Sequence, residues 1–276
     1  MPTWPRLTTA LVTCLAACSA GGSSDDELGE SSSAASETAA SETAASESAA
    51  SETAASSDDA TDTTGAVLLT VSGDAFAFGP GTMIASASVS VLEHPDASTT
   101  TNDAGHFSLE LPAGTTATFV LDKAGYPRIY TKTFTLPEQG PLERVTFQVP
   151  DDATFAALAT IVDIEPDPAT CQLASTVTRV GKSLYDAGAH GEAGATVTID
   201  PALPPEHGPI YFNAQVIPQK DLTETSEDGG ILYTNVPPGT YVLRASKAGV
   251  EFEDVTIRCD AGVLVNPSPP HGLQAL

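Results

Sequence analysis

The sequence has no long apolar run. Its longest N-terminal stretch, Ala10-Leu11-Val12-Thr13-Cys14-Leu15-Ala16-Ala17, is too short to cross a bilayer as a permanent helix. Basic residues are scarce: 11 Lys and Arg stand against 36 Asp and Glu, a net charge of −25. A chain this acidic is repelled by nucleic acid and by anionic membrane surfaces, so neither is expected as a direct partner. The acidity reads as solubility of an exported surface, or else as affinity for cations or basic ligands. Aromatics make up only 6% of the residues, so any core rests mainly on Val, Ile, Leu and Ala. A Gly-x-Ser-x-Gly elbow and a phosphate loop are both absent.

The N-terminus reads as an address. Arg6 is the only charge before the apolar run, and small residues close it, as in a secretory signal. The residues Leu15-Ala16-Ala17-Cys18 resemble a bacterial lipobox. That resemblance implies a signal peptide over 1–17, cleavage before Cys18, and a lipid on the Cys18 thiol as membrane anchor. The alternative is an ordinary signal peptide cleaved after an A-x-A-like site. Ser19 in place of Asp after the cysteine implies, in a diderm host, delivery to the outer membrane or cell surface.

Residues 18–65 are expected to form a disordered stalk. The unit Ala-Ala-Ser-Glu-Thr (Ser in place of Thr at position 48) repeats from Ala34 to Thr53, and its period of five fits neither helix nor strand. Evenly spaced Glu without Lys favours extension. As a flexible coil the stalk averages roughly 40 Å end to end. Its Ser and Thr density also suits O-glycans.

Four cysteines are present. Cys14 leaves with the signal peptide and Cys18 takes the lipid, which leaves Cys171 and Cys259. Two isolated cysteines are too few for a metal site and lack the C-x-x-C spacing of a redox pair. A structural disulfide is expected, joining the first strand of the second domain to a late one. It would close a loop of roughly ninety residues, worth about 4–5 kcal/mol in the chain-entropy model. Its reduction is expected to weaken that domain and spare the first.

From Val67 onward short apolar alternations are separated by turn residues, which predicts strands. Those near Leu69, Ala87, His106, Ala117, Thr133 and Val145 make up a first unit. Strands near Ser175, Gly194, Ile231, Tyr241 and Val255 replay the order. Asn102-Asp103-Ala104-Gly105 matches Ser226-Glu227-Asp228-Gly229-Gly230, and Pro112-Ala113-Gly114 matches Pro237-Pro238-Gly239. Lys123-Ala124-Gly125 matches Lys247-Ala248-Gly249. Gly105 to Gly125 and Gly230 to Gly249 are intervals of about equal length, which marks a tandem repeat. The pattern resembles the carboxypeptidase regulatory-like domain, well over about 67–136 and less well over about 171–266, where Ser183–Gly191 and Pro201–Gly208 add loops. The resemblance implies an all-β fold: two transthyretin-like, Greek-key β-sandwiches of about seven strands each, at 66–150 and 169–276. It also implies an accessory, adhesive or binding role.

Between them, Asp151-Asp152 can cap a helix, and Phe155, Leu158, Ala159 and Val162 follow at helical spacing until Pro166 and Pro168 stop it. A connector over 151–168, with its helix at 152–162 packed between the sandwiches, is expected.

The candidate sites are sparse. His190, Glu192 and His207 are the best metal-like set, although their flanking glycines make both segments loops. Asp221, Glu224, Glu227 and Asp228 form an acidic group without EF-hand order. His106 with Asp103 or Asp228 has the residue types of an acid–base pair, or simply of a turn. Enzymes related to this fold need motifs that are missing: the His-x-His of intradiol dioxygenases, the terminal Tyr-Arg-Gly-Ser of hydroxyisourate hydrolases, the His-x-x-Glu of zinc carboxypeptidases. A non-catalytic structural or adhesive lipoprotein, without a cofactor and with a protein or glycan partner, is the leading expectation. A glycan-binding module of starch-binding-like type is the alternative, with Tyr185, Tyr211 and Tyr233 as stacking residues if their rings are exposed and coplanar.

Overall fold

The computed structural model describes residues 67–79 and 81–276, so the expected signal peptide, Cys18 and the expected stalk lie outside the described residues. The described residues group as one compact unit.

The alternating segments are strands. The first repeat holds β1 (Leu68–Ala77), β2 (Ser88–Val91), β3 (Ser98–Thr100), β4 (His106–Pro112), β5 (Thr116–Asp122), β6 (Ile129–Thr135) and β7 (Leu142–Val149). After helix α1 (Asp152–Ile161), the second repeat holds β8 (Cys171–Thr178), β9 (Thr196–Asp200), β10 (Ile210–Phe212), β11 (Pro218–Gln219), β12 (Gly230–Val236), β13 (Gly239–Ser246), β14 (Val255–Cys259), β15 (Leu264–Val265) and β16 (Leu273–Gln274). One sheet has the order β4-β1-β7 and another the order β14-β13-β9. Between them lies a long sheet of order β11-β10-β12-β8-β15-β6-β5-β2-β3, with β16 also on β8.

The two repeats follow one plan. In each, the first strand pairs antiparallel with the strand after the Gly turn, β1 with β4 and β8 with β12, and parallel with the last ones, β7 or β15 and β16. The likeness extends to single hydrogen bonds. Thr101 Oγ1 donates to Ile84 O (2.7 Å) and accepts from Ala87 N (2.9 Å); Thr225 Oγ1 donates to Glu192 O (2.5 Å) and accepts from Ala195 N (2.9 Å). Ala75 N donates to Gly105 O, and Val177 N to Gly229 O. Gly105 has φ 71° and Gly229 φ 76°. The residue equivalent to Gly105 is therefore Gly229 rather than Gly230, and the interval to Gly125 or Gly249 is the same in both repeats.

The repeats are not two free sandwiches. Leu264 and Val265 pair parallel with Ile129 and Tyr130 of β6 on one side and with Gln172 and Leu173 of β8 on the other. A two-residue strand thus joins the sheet of one repeat to the sheet of the next. Ile129 and Leu264 belong to the first core, while their neighbours Tyr130 and Val265 belong to the second. Successive side chains of a strand point to opposite faces, so the two cores lie on opposite faces of the shared sheet. The sequence-based picture of a helix packed between sandwiches gives way to a joint made by backbone pairing. Helix α1 is present as expected: Asp151 caps it by accepting from Thr154 N at 2.7 Å, and Ala159 and Val162 are buried. Phe155 packs on the first core.

Cys171 and Cys259 are bonded, with Cα atoms 5.7 Å apart, and both are fully buried. The bridge crosses the second sandwich from β8 to β14 in the facing sheet. It does not tie neighbouring strands of one sheet.

Candidate functional site

The loop between β8 and β9 departs from the shared plan. Phe76 bridges to Met83 in the first repeat, and the equivalent Thr178 bridges to Gly191 in the second, so the second loop is six residues longer. It is held by its own bonds: Ser183 N and Oγ donate to Asp186 Oδ2 at 2.8 and 2.9 Å, and the Arg179 guanidinium donates to Ala189 O. Its tip carries Tyr185 onto the β4-β1-β7 sheet of the first repeat. There the phenol donates to Asp74 Oδ2 at 2.5 Å, and the ring meets the Phe76 ring edge-on at 5.6 Å. The Arg144 guanidinium carbon lies 5.2 Å from the Tyr185 ring centroid. The other oxygen of Asp74 is 3.0 Å from His106 Nδ1. Burial, and then the bond to Asp74, push the Tyr185 hydroxyl well above the usual tyrosine range. This clasp places a cation against an aromatic ring, which is favourable, and satisfies both oxygens of one carboxylate.

Of the sequence-predicted residues, Tyr185 alone among the three tyrosines is open to solvent, at 41%. Tyr211 and Tyr233 are 3% and 1% exposed, with hydroxyls on Val197 N and Val197 O respectively, inside the second core. The three rings therefore do not form one exposed platform: Tyr211 and Tyr233 are packed into the second core. The His190, Glu192 and His207 side chains go to separate places. Glu192 pairs with Lys247, and His207 Nδ1 lies 2.8 Å from Thr234 O. His190, half-buried, has its pKa lowered by desolvation. Among the described residues no group of three His, Cys, Asp or Glu is placed to hold a metal ion. His106 takes Asp74 as partner rather than Asp103 or Asp228. Asp74, Phe76 and Arg144 were not found from sequence, because the only signal for them is the loop that comes from the other repeat.

Asp228 sits at the Gly229 turn, where its Oδ2 accepts only from Gly230 N at 3.1 Å. Desolvation pushes its carboxyl up to about 6. Between the unfolded value of 3.8 and about 6 the folded state binds the extra proton, so stability is greatest below this window and falls as pH rises through it. Asp228→Asn is expected to raise stability at pH 7 by about 1–2 kcal/mol and to flatten the slope between pH 4 and 6. Urea midpoints measured across that range check this; an unchanged slope would show that Asp228 titrates normally.

No family model matches the chain, and no curated protein matches it. Among solved structures it is similar to the Bacillus anthracis TIE protein, at 16% identity and a TM-score of 0.27, over 72% of this chain and 33% of that one. It is also similar to the shaft pilin SpaA from Lactobacillus rhamnosus GG, at 12% identity and a TM-score of 0.25, over 76% and 97%. The streptococcal ancillary pilin follows at 14% and 0.24, over 76% and 64%. The chain spans about a third of the length of the TIE protein. Superpositions this loose say nothing of what the chain does.

Proposed function

We propose that the chain is an exported, surface-displayed lipoprotein whose tandem carboxypeptidase regulatory-like repeats act as a non-catalytic structural or adhesive module. The observation that carries this reading is the pair of repeats built on one set of hydrogen bonds. The buried Cys171–Cys259 bridge supports an oxidising compartment. The division is a signal peptide at 1–17, a stalk at 18–65, repeats at 66–150 and 169–276, and a connector at 151–168. Cys18 carries the lipid, and the partner is a protein or a glycan.

The test is Cys18→Ser. The variant is expected to remain unprocessed by lipoprotein peptidase, to incorporate no labelled fatty acid, and to leave the membrane fraction. Continued membrane attachment of Cys18→Ser overturns the anchor. A glycan array probed with the exported protein separates the two partner classes. Binding that Tyr185→Ala abolishes favours the glycan-binding reading, since Tyr185 is the one exposed ring of the three.

A further inference from the structure

We infer that the paired repeats are a tension-bearing spacer, in which parallel first and last strands load in shear and the disulfide bypasses most of the second repeat. The inference rests on the surface-display reading for the source of the load, and on the fold for everything else.

Tension along the backbone enters the first repeat at Leu68 and leaves at Val149. These are the start of β1 and the end of β7, and the two strands are parallel neighbours, paired from Val71 with Leu142 to Ala77 with Val149. Strand ends pulled in opposite directions along a parallel pair slide past one another. The inter-strand bonds lie across the pull and must fail together. An antiparallel pair pulled from one end opens one bond at a time. The β1–β7 approach is also close: a Cβ on Gly73 would lie 1.8 Å from Val145 O.

The second repeat receives the load at Cys171, the first residue of β8. From there the covalent path runs through sulfur to Cys259, so the 88-residue span between the two positions cannot extend. Beyond Cys259 the chain holds β15 and β16, both parallel to β8, and shear recurs. The bridge thus stands where tension arrives. Elsewhere in the repeat it would close a loop equally well, but it would leave β8 free to be drawn out.

Optical tweezers on the full oxidised chain test this, with handles ligated through peptide tags at residue 65 and after Leu276. The first rupture is expected at a force several-fold above that needed when the same chain is pulled through Leu68 and Pro112, which face each other at one end of an antiparallel pair. Once a first unfolding exposes the bridge to reductant, later extensions should lengthen by about 300 Å, from 88 residues at roughly 3.4 Å each. Equal forces in the two geometries would overturn the shear assignment, and an unchanged length would overturn the bypass. The handles replace the lipid, so failure here leaves the anchor reading standing, and failure of Cys18→Ser leaves this one standing.

Discussion

Replacing Cys171 and Cys259 together by alanine is expected to lower stability by about 4–5 kcal/mol. The closed span is 88 residues, and the chain-entropy term for a loop of that size is about that large. For a folded region of this size the melting temperature should fall by roughly 10–18 °C. The sequence alone points to a loss confined to the second repeat. The shared sheet extends it, because β6 keeps its outer neighbour only while β15 is in place, and Tyr130 and Val120 of the first repeat are buried in the second core. The variant should therefore unfold in a single transition shifted as a whole, with far-ultraviolet circular dichroism and tyrosine fluorescence falling together. A first repeat that melts at its original temperature would show that the seam does not couple the two cores.

Gly73→Ala is expected to cost about 3–5 kcal/mol, far beyond the usual effect of one methyl group on a strand. An added Cβ would lie 1.8 Å from Val145 O and 2.8 Å from the Phe107 ring. Neither can retreat cheaply: the carbonyl belongs to the β7 backbone, and Phe107 is 1% exposed within the first core. The strands must part, and the parallel ladder around the Val71–Gly73 register shift is lost. Gly249→Ala is the control. Its φ is +76° and open space surrounds it, so only backbone strain of about 1 kcal/mol is expected. Denaturant midpoints of the two variants should differ several-fold in displacement. Equal displacements would mean that β1 and β7 have room to separate.

Much of the architecture was legible in the residues because turn chemistry and period-two alternation are local. Asn102-Asp103-Ala104-Gly105 announced its turn, and Asp151 its helix. The tandem repeat was legible as well, since a duplicated fold repeats its glycines at matched intervals. The seam was not. Leu264-Val265 is too short to show alternation, and nothing in the sequence of β6 says that its free edge is filled by residues more than a hundred positions away. The Tyr185 clasp was hidden for the same reason: Asp74 and Arg144 look like ordinary surface charges until a loop from the other repeat lies on them. Whether Tyr211 faces inward or outward was not legible either, because a three-residue strand such as Ile210–Phe212, buried along its whole length, lacks the alternation that separates the two.

The position of β15 also sets a timetable. The chain emerges from its N-terminal end, so β6 is complete long before Leu264 follows it. Until then its outer edge offers unpaired backbone groups to any strand that passes, which is how edges recruit the wrong partner. Late, long-range closure of this kind slows folding. A newborn first repeat therefore waits with an open flank until Leu264 and Val265 arrive.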